Sequence, residues 1–442
     1  MFKRKIYDRL LEWKAQSNGK TALLIEGARR VGKSTVAEEF AKNEYRSYVL
    51  IDFSEASPNV RKLFDDISDL DYIFLQLQLL YSVRLFERES LIIFDEVQLC
   101  PRARQAIKQL VKDGRYDYLE TGSLISIRKN TSGILIPSEE RKLQMRPMDF
   151  EEFRWACGDE ATFPLLARTF EASRSLGEQL NRKLMRDFRL YMLVGGMPQA
   201  VDAYLQTNNL QLVDEVKRTI IELYEEDFYK ISPSGALSFL FDAIPAQLAN
   251  KASRYQVSSV LAGRKASDIL EEISELRESK TVLAAYHAND PNVGMSSSID
   301  LEKFKLYLAD TGLFVTLAFK DAAFTENVVY EKLLADKLPV NLGAVYENAV
   351  AQELVAHGHR LFYYTWPKEG ANRNYEIDFI VSDGKKVCPI EVKSSRYKTH
   401  ASLDDFGKKF ASRVGRQFLV YTKDLQKDGP VTCIPTYMAP FL

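Results

Sequence analysis

Residues 21–40 read TALLIEGARRVGKSTVAEEF, and this stretch decides the fold of the N-terminal part of the chain. An apolar run from Thr21 to Ile25 predicts a strand, a glycine-bounded turn follows, and a helix is predicted to start near Lys33. The turn contains the complete pattern GxxxxGK(S/T), whose glycines let the backbone wrap closely around phosphate groups. The predicted phosphate-binding residues are Gly27, Ala28, Arg29, Arg30, Val31, Gly32, Lys33, Ser34 and Thr35.

The chemistry of this loop suits a nucleoside triphosphate. Backbone N–H groups and the helix N-terminus would point at the phosphates, and Lys33 would reach the β- and γ-phosphate oxygens. Ser34 would ligate Mg²⁺ through its hydroxyl group. The loop therefore predicts that the N-terminal part binds ATP and Mg²⁺.

The segment ESLIIFDEVQ, residues 89–98, supplies the other half of a predicted hydrolytic site. Its apolar run from Leu91 to Phe94 predicts a buried strand that ends in two adjacent carboxylates. Asp95 would hold Mg²⁺ through water, and Glu96 would orient and deprotonate the attacking water. The second carboxylate favours a hydrolase over a small-molecule kinase.

Two more strands are predicted around these motifs, in SYVLIDFS (residues 47–54) and YDYLETGS (residues 116–123). Their order is typical of a P-loop ATPase with an inserted strand. Thr121 or Ser123 would then be a polar sensor of the γ-phosphate. The alternative is that the TGS residues only form a turn that caps the next helix.

Length and composition limit the remaining possibilities. The 442 residues predict about two to four domains, and 46% apolar with 27% charged residues fits a folded soluble protein. The net charge of −1 means that any DNA contact must come from local basic patches. Four cysteines without CxxC pairs indicate neither disulfides nor structural zinc, and no apolar run is long enough to cross a bilayer. We therefore expect a cytoplasmic protein without a membrane segment.

Further motifs follow in a fixed order along the chain: MRPMDFEEFRWA (residues 145–156), GGMPQAV (195–201), KLYLADTGL (305–313), GAVYENAVAQEL (343–354), NYEIDFIV (374–381) and CPIEVKSS (388–395). Together with GARRVGKST, LIIFDEVQ and TGSL, they resemble a bacterial and archaeal family of AAA+ ATPases with a C-terminal domain of unknown function. The resemblance spans nearly the whole chain and implies the fold and ATP binding. Arg141 and Arg146 are candidates for an arginine finger that acts on a neighbouring subunit, or are plain surface arginines.

The middle of the chain is predicted to be helical from about Thr162 to Tyr229, with a break at GGMP. Residues 255–286 have the order short helix, turn, second helix and strand, which is typical of a winged helix-turn-helix, and the family resemblance implies the same module. If this module binds DNA, Arg254, Lys265 and Ser267 would face the groove or the phosphates. The alternative is a unit that only packs between domains.

Three elements near the C-terminus predict an acidic site. Glu347 lies on a predicted helix, Asp378 follows the strand NYEID, and Glu391 and Lys393 share one face of the strand PIEVK because residues two apart on a strand project the same way. The pattern resembles PD-(D/E)XK nucleases of the Holliday-junction resolvase type. In such a site Asp378 and Glu391, assisted by Glu347, would bind a divalent ion, and Lys393 would position or activate water.

These observations predict an α/β multidomain protein. The expected parts are a three-layer αβα P-loop AAA+ domain (1–160), a helical lid (161–240), a winged-helix module (241–320) and an α/β restriction-endonuclease-like domain (321–442). The expected function is ATP hydrolysis coupled to a DNA-directed, nuclease-like activity, in a chain that binds DNA and forms homo-oligomers or binds a protein partner. The alternative is a regulatory NTPase whose C-terminal domain is a binding module without catalytic activity.

Overall fold

The computed structural model describes residues 1–122, 138–250, 252–321, 327–335, 342–370, 374–395 and 399–442, which form two compact units. Unit 1 comprises residues 1–146 and 278–280, and unit 2 comprises residues 147–277 and 281–442. In unit 1 the elements are α1 (Ile6–Ser17), β1 (Ala22–Glu26), α2 (Lys33–Glu44), β2 (Ser47–Asp52), α3 (Pro58–Lys62), α4 (Leu70–Tyr81), β3 (Ser90–Asp95), a 3₁₀ turn (Val97–Leu99), α5 (Pro101–Asp113), β4 (Asp117–Gly122) and β5 (Glu140–Gln144).

Unit 1 contains a parallel sheet of five strands in the order β2-β3-β4-β1-β5. All residues of β3 and β4 are buried, so both faces of the central strands are covered. One face packs Leu24, Ile92 and Phe94 against α4 and α5, and α2 packs against β2, β3 and β4. The predicted parallel α/β sheet is therefore confirmed, and β4 lies between the strand before the phosphate loop and the strand that ends in Asp95.

Unit 2 begins with helices, as the sequence predicts for residues 162–229. They are α6 (Phe150–Ala156), α7 (Thr162–Glu171), α8 (Glu178–Val194), α9 (Pro198–Thr207), α10 (Leu210–Ile231), α11 (Ala236–Asp242) and α12 (Ile244–Ala249). The predicted break at GGMP separates α8 from α9, because Gly195 has a φ of 83° and Pro198 starts the next helix. A capping box of Asp149 and Glu152 pairs backbone N–H groups at the start of α6.

The rest of unit 2 is organised around a mixed sheet. Its elements are α13 (Val257–Val260), 3₁₀ turns (Ala266–Ile269, Met295–Ser297 and Thr436–Phe441), α14 (Leu270–Glu278), β6 (Val282–Ala288), β7 (Ile299–Leu308), α15 (Thr311–Ala318), α16 (Asn327–Leu334), α17 (Leu342–Ala356), β8 (Phe362–Pro367), β9 (Asn374–Asp383), β10 (Lys386–Val392), α18 (Ala401–Lys409), β11 (Gln417–Tyr421), β12 (Gln426–Asp428) and β13 (Val431–Pro435).

This sheet has eight strands in the order β12-β13-β11-β10-β9-β8-β6-β7. The predicted order of short helix, turn, helix and strand is present in residues 255–286, but β6 and β7 pair with each other and extend the C-terminal sheet through β8. The boundary expected between the winged-helix module and the C-terminal domain, at residues 320 and 321, thus lies between strands that belong to one sheet. The winged-helix assignment and the four-part division of the chain remain predictions.

Helix α17 carries polar side chains into the interior of unit 2. Asn348 accepts a hydrogen bond from the backbone of Leu308 at 2.8 Å, and Gln352 accepts one from the backbone of Thr311 at 2.8 Å. Gln352 also donates to the hydroxyl of Tyr191 at 2.8 Å. Because buried backbone groups must be paired, these amides hold the segment after β7 against α8 and α17.

None of the helices in the described parts of the chain is long and apolar enough to cross a membrane.

A glycine at the GGMP break tests this packing. A Cβ atom on Gly196 would lie 2.0 Å from the carbonyl oxygen of Met148, so Gly196→Ala forces the backbone apart. We expect the variant to lose about 3 kcal/mol of stability, measured by chemical denaturation. At Gly343 in α17 the nearest atom to an added Cβ is 3.9 Å away, so Gly343→Ala is the matched control and should lose nothing. Equal stability of both variants would contradict this packing.

Candidate functional site

The phosphate loop lies at the carboxyl end of β1. Arg30 and Gly32 have positive φ values of 68° and 96°, so the loop turns twice before α2 begins at Lys33. A Cβ atom on Gly27 would lie 2.3 Å from the carbonyl oxygen of Met145, which leaves only a glycine possible at the first turn. Val31 is buried beneath the loop, and Thr35 is exposed on the first turn of α2.

Lys33 is buried inside this loop. Its Nζ atom donates to the carbonyl oxygens of Gly27 at 3.2 Å and Ala28 at 2.9 Å. Burial lowers the pKa of Lys33, while the charges of Glu96 and Asp95 oppose that shift. An ammonium group that bonds carbonyl oxygens of its own loop is placed to exchange them for phosphate oxygens.

Asp95 connects the loop to the adjacent strand end. The hydroxyl of Ser34 donates to Asp95 Oδ1 at 2.8 Å. The hydroxyl of Thr121, at the end of β4, donates to the same oxygen and also accepts from the backbone N–H of Glu96 at 3.4 Å. The structure therefore brings together Lys33, Ser34, Asp95 and Thr121, whereas Ser123 lies outside the described residues.

Glu96 adopts an unusual backbone conformation. Its φ of 51° and ψ of 46° are left-handed, which costs a non-glycine residue about 1–3 kcal/mol and is typical of functional sites. The buried side chain of Gln98 donates from Nε2 to the Glu96 carboxylate. The sequence pattern FDEVQ includes this glutamine, but the pattern alone assigns it no role.

Arg4 is another residue that sequence reasoning missed. Its guanidinium is buried and donates to the carbonyl oxygens of Val31 at 3.1 Å and Arg146 at 2.6 Å. The segment before α1 is thereby tied to the phosphate loop. Burial lowers the pKa of Arg146, whose side chain donates to Gln144 at 3.0 Å, and Arg141 is exposed on β5. Their role as arginine fingers remains a prediction.

The residues of this loop fit a magnesium nucleotide. Mg²⁺ in phosphate sites takes few protein ligands and keeps waters and phosphate oxygens, so one hydroxyl and one carboxylate in contact are a suitable donor set. Ser34 and Asp95 provide that pair. Lys33 supplies a buried cation beside them.

Unit 1 has three features of an AAA-type ATPase domain. It has a parallel sheet with an inserted strand, a phosphate loop at the end of β1 and two adjacent carboxylates at the end of β3. Residues 19–154 match the family model described as AAA domain. Residues 185–323 and 342–437 match two models described as domains of unknown function, DUF8612 and DUF4143. No curated protein matches the chain significantly.

Solved structures that are similar to this chain include three proteins of this class. Aeropyrum pernix ORC1 in complex with DNA is 11% identical with a TM-score of 0.29, over 76% of this chain and 93% of that chain. The Thermotoga maritima RuvB Holliday junction branch migration motor is 12% identical with a TM-score of 0.27, over 64% and 89%. Pyrobaculum aerophilum Cdc6p is 13% identical with a TM-score of 0.23, over 76% and 94%. Because these TM-scores are low, the assignment rests on the AAA match and the loop geometry.

The predicted C-terminal acidic site lies on the mixed sheet of unit 2. Asp378 is inside β9 rather than after it, and Glu391 is near the end of β10. The backbone N–H of Val392 donates to Asp378 Oδ2 at 2.7 Å, and Lys393 Nζ lies 3.0 Å from Glu391 Oε1. Burial raises the pKa of Asp378 well above its usual range, and neighbouring carboxylates including Glu347 and Glu391 raise it further.

A lysine that sequence reasoning missed enters this cluster from β7. Lys305 Nζ lies 3.1 Å from Glu347 Oε1 and also contacts Glu376, while the Tyr307 hydroxyl donates to Glu347 at 2.6 Å. Burial lowers the pKa of Lys305, but the charge of Glu347 and the other acidic groups outweighs burial and raises it well above its usual value. Lys305 therefore stays charged and neutralises Glu347.

The described side chains do not fit a preformed metal site here. No group of three or more His, Cys, Asp or Glu residues within the described ranges converges so that it could hold an ion. Glu347, one of the three predicted ligands, is engaged by Lys305 and Tyr307 instead. The metal roles of Glu347, Asp378 and Glu391 remain predictions.

The role of the buried Lys305 can be tested by measuring stability. Lys305→Met leaves two carboxylates in unit 2 without their cation, so we expect a loss of about 3 kcal/mol by chemical denaturation. Lys303→Met, two residues earlier on the same strand, breaks only a half-exposed pair with Asp300 and should change stability by about 0.5 kcal/mol or less. Adding Glu376→Gln to Lys305→Met should restore part of the loss. Similar values for the two lysine variants would contradict a neutralising role for Lys305.

Proposed function

We propose that the chain hydrolyses ATP in unit 1. What carries the proposal is the contact of Ser34 with Asp95 beside the buried Lys33, together with Glu96 held at the next position by Thr121. These are the groups that a hydrolytic phosphoryl-transfer site needs: a phosphate cradle, a metal-binding pair and a base. Thr121 bonds both carboxylate residues and so is also suited to respond to the γ-phosphate.

In this proposal each residue has a separate task. Loop N–H groups from Gly27 to Thr35 and the start of α2 bind the phosphates, and Lys33 leaves its loop carbonyls for the β- and γ-phosphate oxygens. Mg²⁺ bound by Ser34 and, through water, by Asp95 would supply charge neutralisation at those oxygens. Glu96 orients the attacking water and accepts its proton. Gln98 positions the Glu96 carboxylate through its amide.

Two substitutions separate binding from hydrolysis. Lys33→Ala should abolish tight binding of a fluorescent ATP analogue. Glu96→Gln should keep nucleotide binding but lower kcat by about 10²–10⁴-fold, because the general base is removed while the phosphate cradle is intact. Glu89→Gln is the matched control, since Glu89 is exposed just before β3 and pairs with Arg46. A Glu96→Gln variant with the kcat of the wild type would sink the proposed role of Glu96.

We further propose that unit 2 acts on DNA phosphodiester bonds and that ATP hydrolysis is coupled to this activity. What supports it is the proximity of Asp378, Glu391 and Lys393 on adjacent strands, in the order of PD-(D/E)XK nucleases. Homo-oligomer formation and a protein partner belong to the same proposal. A divalent ion at this place would require the carboxylates to rearrange, because the described side chains form no preformed metal site. The competing function is a regulatory NTPase switch in which unit 2 only binds its partner.

Cleavage assays distinguish these two functions. Wild type with ATP and Mg²⁺ or Mn²⁺ should nick single-stranded, duplex or branched DNA, seen on a gel, and DNA should stimulate its ATP hydrolysis. Asp378→Ala and Lys393→Ala should each lose cleavage. Asp383→Ala, on the same strand but at an exposed pair with Arg416, should keep it. Hydrolysis that is indifferent to DNA, with no cutting by wild type, would favour the regulatory switch.

A further inference from the structure

A polar cavity of about 480 Å³ lies in unit 2 beside the acidic cluster. We name it the β7–β8 groove, after the strands that carry Lys303, Tyr363 and Thr365. The groove is also lined by His287 of β6, Asn374 of β9 and Arg254 before α13. None of the described residues that line it is acidic or aliphatic. Two of them are cations, and the others are neutral groups that can donate or accept hydrogen bonds.

The charge in this groove is positive. Arg254 is exposed, and its guanidinium forms no ion pair with any of the described residues. Lys303 pairs with Asp300 at 3.0 Å but keeps 44% of its side chain exposed, so it can exchange this surface pair for another anion. Burial lowers the pKa of His287, and the charge of Lys303 lowers it further. An anion would therefore meet two cations and several neutral polar groups.

The groove and the acidic cluster share one face of the sheet. Asn374, Glu376 and Asp378 alternate on β9 and so project to one side. Lys303 lies on β7 two residues before Lys305, at an irregularity in the pairing of β6 with β7. Thr365 of β8 is paired directly with Glu376 of β9. Tyr363 lines the groove, and its ring centroid lies 5.6 Å from Lys305 Nζ.

We infer that the β7–β8 groove binds phosphate groups of a nucleic-acid backbone and leads the chain of phosphodiesters past Asp378 and Glu391. The inference rests on the proposed action of unit 2 on DNA, and it names the surface that would hold the substrate. A backbone fits better than a single phosphate because the groove offers two cations, Arg254 and Lys303, and lies on the same sheet as Asp378. One phosphate can contact these cations while a neighbouring phosphodiester reaches the proposed cleavage site. The phosphate contacts of Arg254 and Lys303 carry no sequence information, so binding should be independent of sequence.

The test measures binding without cleavage. A labelled oligonucleotide is titrated with the full chain in EDTA, by fluorescence anisotropy at several salt concentrations. Arg254→Ala combined with Lys303→Met should weaken binding about tenfold or more and reduce the slope of log K against log salt by about one for each lost phosphate contact. Arg416→Ala combined with Lys427→Met removes two exposed cations elsewhere on unit 2 and should change Kd by less than about twofold.

Several results would refute nucleic-acid binding in the β7–β8 groove. Wild type that does not bind the oligonucleotide, or a groove variant that binds with the wild-type Kd and salt slope, refutes it. Inorganic phosphate is added as a competitor. If it displaces the oligonucleotide at a concentration close to that of the phosphate groups in the oligonucleotide, the groove is a site for free phosphate, and the proposed binding of a nucleic-acid backbone is refuted. If wild type cleaves DNA in none of the assays but its binding still depends on Arg254 and Lys303, the proposed cleavage is refuted and the proposed binding in the groove is supported. Thermal unfolding of both double variants at the wild-type temperature confirms that their folds are intact.

Discussion

The carboxylate of Asp95 is the point at which three elements of unit 1 meet. It accepts the hydroxyl of Ser34 from the start of α2 and the hydroxyl of Thr121 from the end of β4. These groups can share one oxygen only because β4 is inserted between β1 and β3, so that the carboxyl ends of all three strands lie at one edge of the sheet. The strand order is therefore a precondition of the site.

In unit 2 the packing depends on hydrogen bonds between buried polar groups. Asp310 caps α15 by accepting from Leu313 at 2.8 Å and also accepts from the backbone of Gly196 at 2.5 Å. Close approach at Gly195 and Gly312 leaves no room for side chains there. The segments GGMPQAV, KLYLADTGL and GAVYENAVAQEL are thus explained by packing: they are parts of one buried hydrogen-bonded junction, whose loss would leave several backbone groups unpaired.

The sequence predicted the parts of this protein that local pattern determines. Apolar runs indicated β1 to β4, and the glycines of the loop indicated its turns, because both signals lie within a few neighbouring residues. Gln98, Arg4 and Lys305 could not be predicted in the same way, because their partners depend on tertiary contacts. Lys305, for example, is 42 residues from Glu347 and 71 from Glu376. The extension of the C-terminal sheet by β6 and β7 was missed for the same reason, since strand pairing at long range leaves no local signal.

Lys305 and Lys393 contact different carboxylates of the acidic cluster in unit 2, and the two lysines differ in burial. Lys305 is buried beside Glu347, Glu376 and Tyr307, where removal of the cation would leave two carboxylates that water solvates only in part. Lys393 is less buried, contacts Glu391 and lies just after the end of β10, where a substrate could replace its partner. The contacts of Lys305 therefore serve stability. In the proposed reaction Asp378, Glu391 and Lys393 are the residues placed to act, and the metal role of Glu347 remains a prediction.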